Sequence, residues 1–100
     1  MRFRVRYSPV AVDDLDALRA WIDSETDFDT AARYLERVRA RIATLENFPN
    51  RGQMRDDLRP GVRTLSFEGR LLILYSASVE SVDILRVVST ARDLRVLWDN

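Results

Sequence analysis

Arginine is the residue type through which this 100-residue chain would do chemistry: all 16 of its cationic side chains are arginine, and it contains no lysine, histidine or cysteine. Four of them recur at every fourth position in "NRGQMRDDLRPGVR", as Arg51, Arg55, Arg59 and Arg63, and three alternate in "RFRVRY", as Arg2, Arg4 and Arg6. On an unbroken helix residues four apart share a face, and a row of guanidinium groups there would meet phosphates. Pro60 and Gly61 interrupt the row, however, and a proline inside a helix costs about 3 kcal/mol. The row therefore separates into Arg51 in a Pro-Gly turn, Arg55 and Arg59 around the acidic turn Asp56-Asp57, and Arg63 in a strand. The alternating arginines are either a phosphate-binding strand face or a solvated one, and the solvated face is the simpler reading.

A guanidinium stabilises developing negative charge but stays protonated, so it makes a poor general base. Cleaving RNA at its own 2′-hydroxyl needs groups that exchange protons near neutral pH, a task for which histidine is the natural choice. The titratable groups that follow the helices are Asp56, Asp57, Glu68, Tyr75, Glu80, Asp83, Asp93 and Asp99, and no pair has a spacing that nominates an acid/base couple. A Ser-His-Asp site is excluded by the missing histidine. The three glycines, at 52, 61 and 69, form no phosphate-cradling loop. No metal site and no cofactor is expected, and the residues favour a non-enzyme.

Sixteen acids balance the 16 arginines, so no net field draws the molecule to DNA, RNA or an anionic membrane. Direct nucleic-acid binding is not expected. The longest apolar run, Leu71 to Tyr75, falls far short of the roughly 20 residues that span a bilayer. "MRFRVRYSP" lacks the apolar stretch of a signal peptide, and the absence of cysteine suits a reducing compartment; the expected location is the cytoplasm.

The elements that must position these groups follow from periodicity. Residues 2–7 alternate, with Phe3, Val5 and Tyr7 on the face opposite the arginines, which predicts a half-buried strand. Ser8 as N-cap and Pro9 at the first helical position open a helix over roughly 9–24, with apolar residues at Ala11, Leu15, Leu18 and Ile22. A second helix over about 29–47 repeats the spacing at Ala31, Leu35, Val38, Ile42 and Leu45. So short a connection predicts a helical hairpin. Pro49, Gly52, Pro60 and Gly61 then mark a loop with one helical turn around 54–58.

Three strands follow, "VRTLSF", "RLLILYSA" and "VDILRVVS", the first two joined by a Glu68-Gly69 hairpin turn. The middle one is apolar on both faces, as a strand covered on both sides would be. Thr90, with Asp93 three residues on, is a weak capping box for a short closing helix carrying Leu94, Leu97 and Trp98. The expected fold is one α+β domain over residues 1–100, ordered βααβββ, with a helical hairpin on a small, mainly antiparallel sheet and a short C-terminal helix.

The order of elements and its punctuation resemble the ParE branch of the RelE/ParE toxin superfamily. "YSPVAVDDLDALRAWI" is similar to that family's opening "sp-A--DL--I--yi", and "AARYLERVRARIATLENFPNRG" to its "A--yl--l---i--L---P--G". "RDDLRPGVRTLSFEGRLLILY" is similar to "---l--G-R-l------i-Y", and the close "ILRVVSTARDLRVLW" to "i-rVlHgrrD" followed by hydrophobic residues. The resemblance covers nearly the whole chain.

It implies the toxin of a type II toxin–antitoxin module, held inactive in a hetero-oligomer with a ParD-like antitoxin. The ParE branch is associated with poisoning DNA gyrase, whereas RelE-like relatives cleave messenger RNA on the ribosome, and a shared fold does not choose between them. Aligned with the ribonuclease branch, its functional positions hold Arg63, Leu65, Leu72, Arg92 and Trp98, which lack two cations and the terminal acid/base. Ser89 stands where many ParE members have histidine. The expected activity is gyrase inhibition by binding. The alternatives are a ribonuclease using Arg63 and Arg92, and a toxin-like fold that only binds antitoxin. Arg63, Arg92, Asp93 and Trp98 are candidates for target contact, although Arg63 and Arg92-Asp93 also suit a local ion pair between strand and tail. Trp21, Tyr34 and Trp98 are candidates for antitoxin contact, although a place in the hairpin interface is the simpler reading for Trp21 and Tyr34.

Overall fold

The computed structural model describes residues 2–91 together with 94 and 97. Strand β1 (Arg4–Tyr7) leads into helices α1 (Pro9–Glu25) and α2 (Phe28–Ala43), followed by β2 (Gln53–Met54), β3 (Val62–Phe67), β4 (Leu71–Ala77) and β5 (Ser81–Ser89). The five strands form one sheet in the order β1-β5-β4-β3-β2. All neighbours are antiparallel except β1 and β5, whose register runs from Arg4 against Ser81 to Tyr7 against Ile84. The architecture is α+β, with both helices packed on a mainly antiparallel sheet.

Local chemistry sets the helix ends. Ser8 caps α1, its hydroxyl oxygen accepting from the Ala11 N–H at 3.0 Å, with Pro9 at the first position. Asp27 caps α2 by accepting from the Thr30 N–H at 2.8 Å. Those contacts hold the Asp27 carboxyl below its usual range. The expected second helix ends early. After Ala43 the chain tightens into a 3₁₀ turn, Thr44–Glu46, a frequent form of a helix's last turn, and Pro49 then disfavours helical backbone at Phe48. Glu68 and Gly69 both take positive φ, 50° and 69°, as the mirror-image hairpin turn requires.

The stripes read from sequence become the core. Ala11, Leu15, Ile22, Ala31, Leu35, Val38, Ile42 and Leu45 are buried with Leu65, Phe67, Leu71, Ile73 and Tyr75 between helices and sheet. On the opposite face Val62, Leu74 and Val88 pack with Leu58, Leu72, Leu85, Leu94 and Leu97. Strand β4 serves both layers, which explains its continuous apolar sequence.

Two expectations for the middle of the chain need correction. Gln53 and Met54 form a fifth strand, paired with Thr64 and Arg63, where the sequence predicts the start of a helical turn. The region that follows is a turn closed by the Leu58 N–H on the Arg55 carbonyl at 3.0 Å. Asp57 pairs with Arg55 at 2.9 Å and Asp56 accepts from the Gly61 N–H at 2.8 Å, so the acidic pair closes the turn. The Thr90–Asp93 cap falls partly outside the described residues, but Thr90 itself has contacts at the hairpin. Its hydroxyl donates to the Gly69 carbonyl at 3.3 Å and its N–H to that of Arg70 at 3.0 Å, tying the end of β5 to the hairpin. The residues that would complete the closing helix lie largely outside the described residues.

Candidate functional site

Two surfaces gather the chemistry of the fold, one at each end of the β3–β4 hairpin. At the turn end, α1 contributes Leu18 with Trp21 and Ile22, three and four residues on and each a helix-surface neighbour of Leu18. Tyr34 of α2, Leu71 of β4 and Thr90 complete an open, largely apolar groove of about 600 Å³. Trp21 is 62% exposed. Tyr34 leans into the core, its ring edge-on to Phe67 at 5.6 Å, and burial raises its phenol pKa. The Arg37 guanidinium lies 5.3 Å from the Tyr34 ring centre and pairs with Glu68 at 3.0 Å. Exposed Arg70 stands among the lining residues. The groove thus offers aromatic walls, an aliphatic floor and a cationic rim. Such a surface suits the apolar face of a peptide or helix that carries acid at its edge.

At the other end, Tyr75 is fully buried and faces Arg63 across the ladder. The Tyr75 hydroxyl donates to the Pro49 carbonyl at 2.9 Å and accepts from the Gly52 N–H at 2.8 Å. Arg63 Nη1 donates to the Gly52 carbonyl at 2.8 Å and to that of Asn50 at 3.2 Å. A Cβ on Gly52 would lie 2.7 Å from the Tyr75 hydroxyl and 2.8 Å from the Thr64 carbonyl, so the approach admits only glycine. Burial raises the Tyr75 pKa. The loop between α2 and β3 is therefore clamped from beneath.

A third cluster anchors the helices. At a bulge in β5, Leu74 pairs with Arg86 and Tyr75 with Ile84, leaving Leu85 without a Cα partner. Here Arg86 makes a two-pronged contact with Asp14 of α1, at 2.8 and 3.0 Å, and the Val87 N–H donates to the same carboxylate at 2.9 Å. Both side chains are about 15% exposed or less. The hydrogen bond that Arg86 donates to Asp14 raises the Arg86 pKa further.

The predicted site residues thus part company. Trp21 and Tyr34 meet in the groove, while Arg63 sits at the opposite end of the hairpin holding a loop. Arg92, Asp93 and Trp98 lie outside the described residues. The alternating arginines are partly engaged: Arg6 pairs with Asp83 at 2.8 Å and Arg2 pairs with Glu46. Sequence reasoning missed the Asp14–Arg86 pair and the Tyr75 clamp, because each depends on residues brought together by the sheet, and it also passed over exposed Phe48. The Pro49–Gly52 punctuation was the one signal available for the clamp. Among the described residues no group of three His, Cys, Asp or Glu side chains could hold a metal, and no helix is long and apolar enough to cross a membrane.

Comparison with known proteins gives a consistent answer. The family model described as ParE toxin of type II toxin-antitoxin system, parDE, matches residues 5–94. The chain is 33% identical over 90 residues to toxin ParE3 of Caulobacter vibrioides, covering 90% of this chain and 88% of that protein. Its fold is similar to a chain of the chromosomal ParDE system from P. aeruginosa, with a TM-score of 0.77 at 22% identity, covering 88% and 96% of the two chains. A chain of the E. coli DinJ-YafQ toxin-antitoxin complex is more distant, with a TM-score of 0.51 at 14% identity, over 91% and 96% of the two chains.

Proposed function

Because the chain belongs to the ParE toxin family of type II toxin–antitoxin systems, we propose that it acts in the cytoplasm by binding and inhibiting DNA gyrase, and that a ParD-like antitoxin neutralises it. The observation that carries the antitoxin half of this reading is the groove. An indole that is 62% exposed on an apolar floor is costly to leave in water and is the commonest kind of interface anchor. The antitoxin would lay an apolar helix face between Trp21 and Tyr34 and set acidic side chains toward Arg70.

Action by binding rather than catalysis rests on the chain's chemistry. It has no histidine, lysine or cysteine. The shifted pKa values support this: Asp27 and Asp57 move down, while Tyr7, Tyr34 and Tyr75 move up, and each moves away from neutrality. A proton-transfer catalyst needs the opposite tuning.

The experiment is to express the chain alone and with the antitoxin from its own operon. The purified chain is then assayed for inhibition of gyrase supercoiling of relaxed DNA. Growth arrest rescued by the antitoxin, with supercoiling blocked and messenger RNA intact, is the expected result. Fragmented messenger RNA with normal supercoiling would replace this reading with the ribonuclease one. Trp21→Ala should weaken antitoxin affinity at least about 30-fold, the effect of losing one hot spot of 2 kcal/mol or more, and leave folding unchanged.

A further inference from the structure

The loop clamped by Tyr75 turns a second set of groups outward. Phe48 is 56% exposed and Met54 46% exposed. The Arg51 guanidinium lies over the Phe48 ring, 5.0 Å from its centre. Their backbone is fixed: the Phe48 N–H donates to the Thr44 carbonyl and the Arg51 N–H to that of Phe48, each at 3.1 Å. With the bonds from Tyr75 and Arg63 beneath, an aromatic ring, a thioether and a cation are held ready on a rigid support. Rigid presentation removes the ordering cost of binding, and aromatic and arginine side chains are the ones that dominate interface energetics.

Between residues 47 and 54 there is one cation and no acid, so the complementary surface is an apolar socket with a carboxylate at its rim. That describes a protein. A nucleic acid fits poorly, because a single loop cation on a chain of zero net charge leaves its phosphates unmatched. The guanidinium also occupies one face of the ring on which a base would stack.

We infer that the Phe48–Arg51 loop is the toxin's target-contact element, with Phe48 entering an apolar socket on the target protein and Arg51 pairing with a carboxylate beside it. This rests on the toxin reading above. The loop and the groove are separable surfaces. Arg63 and Tyr75, which hold the loop, lie four residue steps along the hairpin from Phe67 and Leu71 at the groove end, roughly 13 Å.

The test compares the wild-type chain with Phe48→Ser and Arg51→Glu, each expressed alone and with antitoxin, and uses purified gyrase holoenzyme as the biochemical probe. Both side chains are exposed, and circular dichroism of the antitoxin complexes checks the fold. Each variant should lose growth arrest and gyrase inhibition by at least about tenfold, while antitoxin co-purification stays at the wild-type level. Unchanged arrest would overturn the inference, as would a parallel loss of arrest and antitoxin binding. Loss of single-stranded oligonucleotide binding in Arg51→Glu, with gyrase inhibition intact, would reassign the loop to nucleic acid and equally overturn it. A wild-type chain that arrests growth without touching supercoiling removes gyrase as the target, and the loop then stands or falls on arrest alone. A wild-type chain that does neither overturns both readings, since no target contact then exists to assign.

Discussion

Replacing Tyr75 by phenylalanine removes one oxygen from the fully buried end of the hairpin and leaves the ring's packing in place. That oxygen donates to the Pro49 carbonyl at 2.9 Å and accepts from the Gly52 N–H at 2.8 Å. The Gly52 amide belongs to a buried residue, and an amide stripped of its acceptor in such a place costs about 1–3 kcal/mol. The Pro49 carbonyl is only partly buried, so its loss is nearer about 1 kcal/mol, the ordinary net value of a hydrogen bond. The expected destabilisation is therefore about 2–4 kcal/mol, a large part of the roughly 5–15 kcal/mol that holds a domain together.

Urea titration followed by circular dichroism measures this directly. The midpoint should fall with the slope unchanged, because the area exposed on unfolding hardly alters. In thermal melts the midpoint should drop by roughly 10–30 °C for a domain of this size. Arg63→Met supplies the internal control, since Arg63 grips the same loop through the Gly52 and Asn50 carbonyls. Once one grip is lost the loop loosens and the other holds less, so the double variant should lose less than the sum of the singles by about 0.5 kcal/mol or more. A Tyr75→Phe loss below about 0.5 kcal/mol, less than a single net hydrogen bond, would show that the Gly52 amide finds another acceptor and that Tyr75 is no clamp.

The other outcomes are more compact to state. Gly52→Ala should cost about 1–3 kcal/mol as an overpacked site, and Tyr75→Phe should not relieve it, because the new methyl also meets the Thr64 carbonyl and the Tyr75 ring; denaturant midpoints of the single and double variants check this. Asp14→Ala leaves Arg86 and the Val87 N–H facing nothing and should cost roughly 3 kcal/mol or more, whereas Asp14→Leu with Arg86→Met should recover much of it, as a double-mutant cycle would measure. Stability against pH should be flat from about pH 5 to 9, because no histidine or cysteine titrates there. Below that window it should fall as acid overcomes the depressed carboxyls of Asp27 and Asp57, whose contribution is present above their unfolded pKa and lost as pH drops through the folded one. Above it, the raised pKa values of the three tyrosines make their contribution complete below about pH 10 and lost as pH climbs through the folded values; urea titrations at fixed pH read both edges.

Much of the fold was legible because it is written at short range. The stripe Ala31, Leu35, Val38, Ile42 and Leu45 needs only helical spacing to be recognised, and every member is buried. The apolar run of β4 needs only its length to be read as a central strand. Gln53–Met54 could not be read that way: two exposed residues form a strand only because Thr64 and Arg63 offer them a ladder. Nor does any local pattern pair β1 with the last strand, or bring Asp14 to Arg86 across 72 positions. The candidate site was less legible. Trp21 falls off its own helix's stripe, but spacing alone does not separate a hairpin interface from solvent, and the structure leaves it 62% exposed where the interface is the simpler reading.

The row of four arginines carries this reasoning furthest. Equal spacing suggests equal roles, yet the chain gives at least three of them different work. Arg51 stacks on exposed Phe48, Arg55 closes a turn with Asp57, and Arg63 points inward to the carbonyls of the loop that bears Arg51. If the loop meets the target as inferred above, Arg63 acts on it only through Arg51 and Phe48, as a positioning residue. The distinction has a consequence that spacing alone would not suggest. Arg63→Lys keeps the charge but replaces a fork of donors with a single flexible ammonium, so it should loosen the loop and weaken growth arrest. Arg51→Lys keeps a cation on a free surface and should preserve more of it. If the two lysine variants arrest growth equally, the charge alone is what the target reads, and the clamp beneath the loop has no part in toxicity.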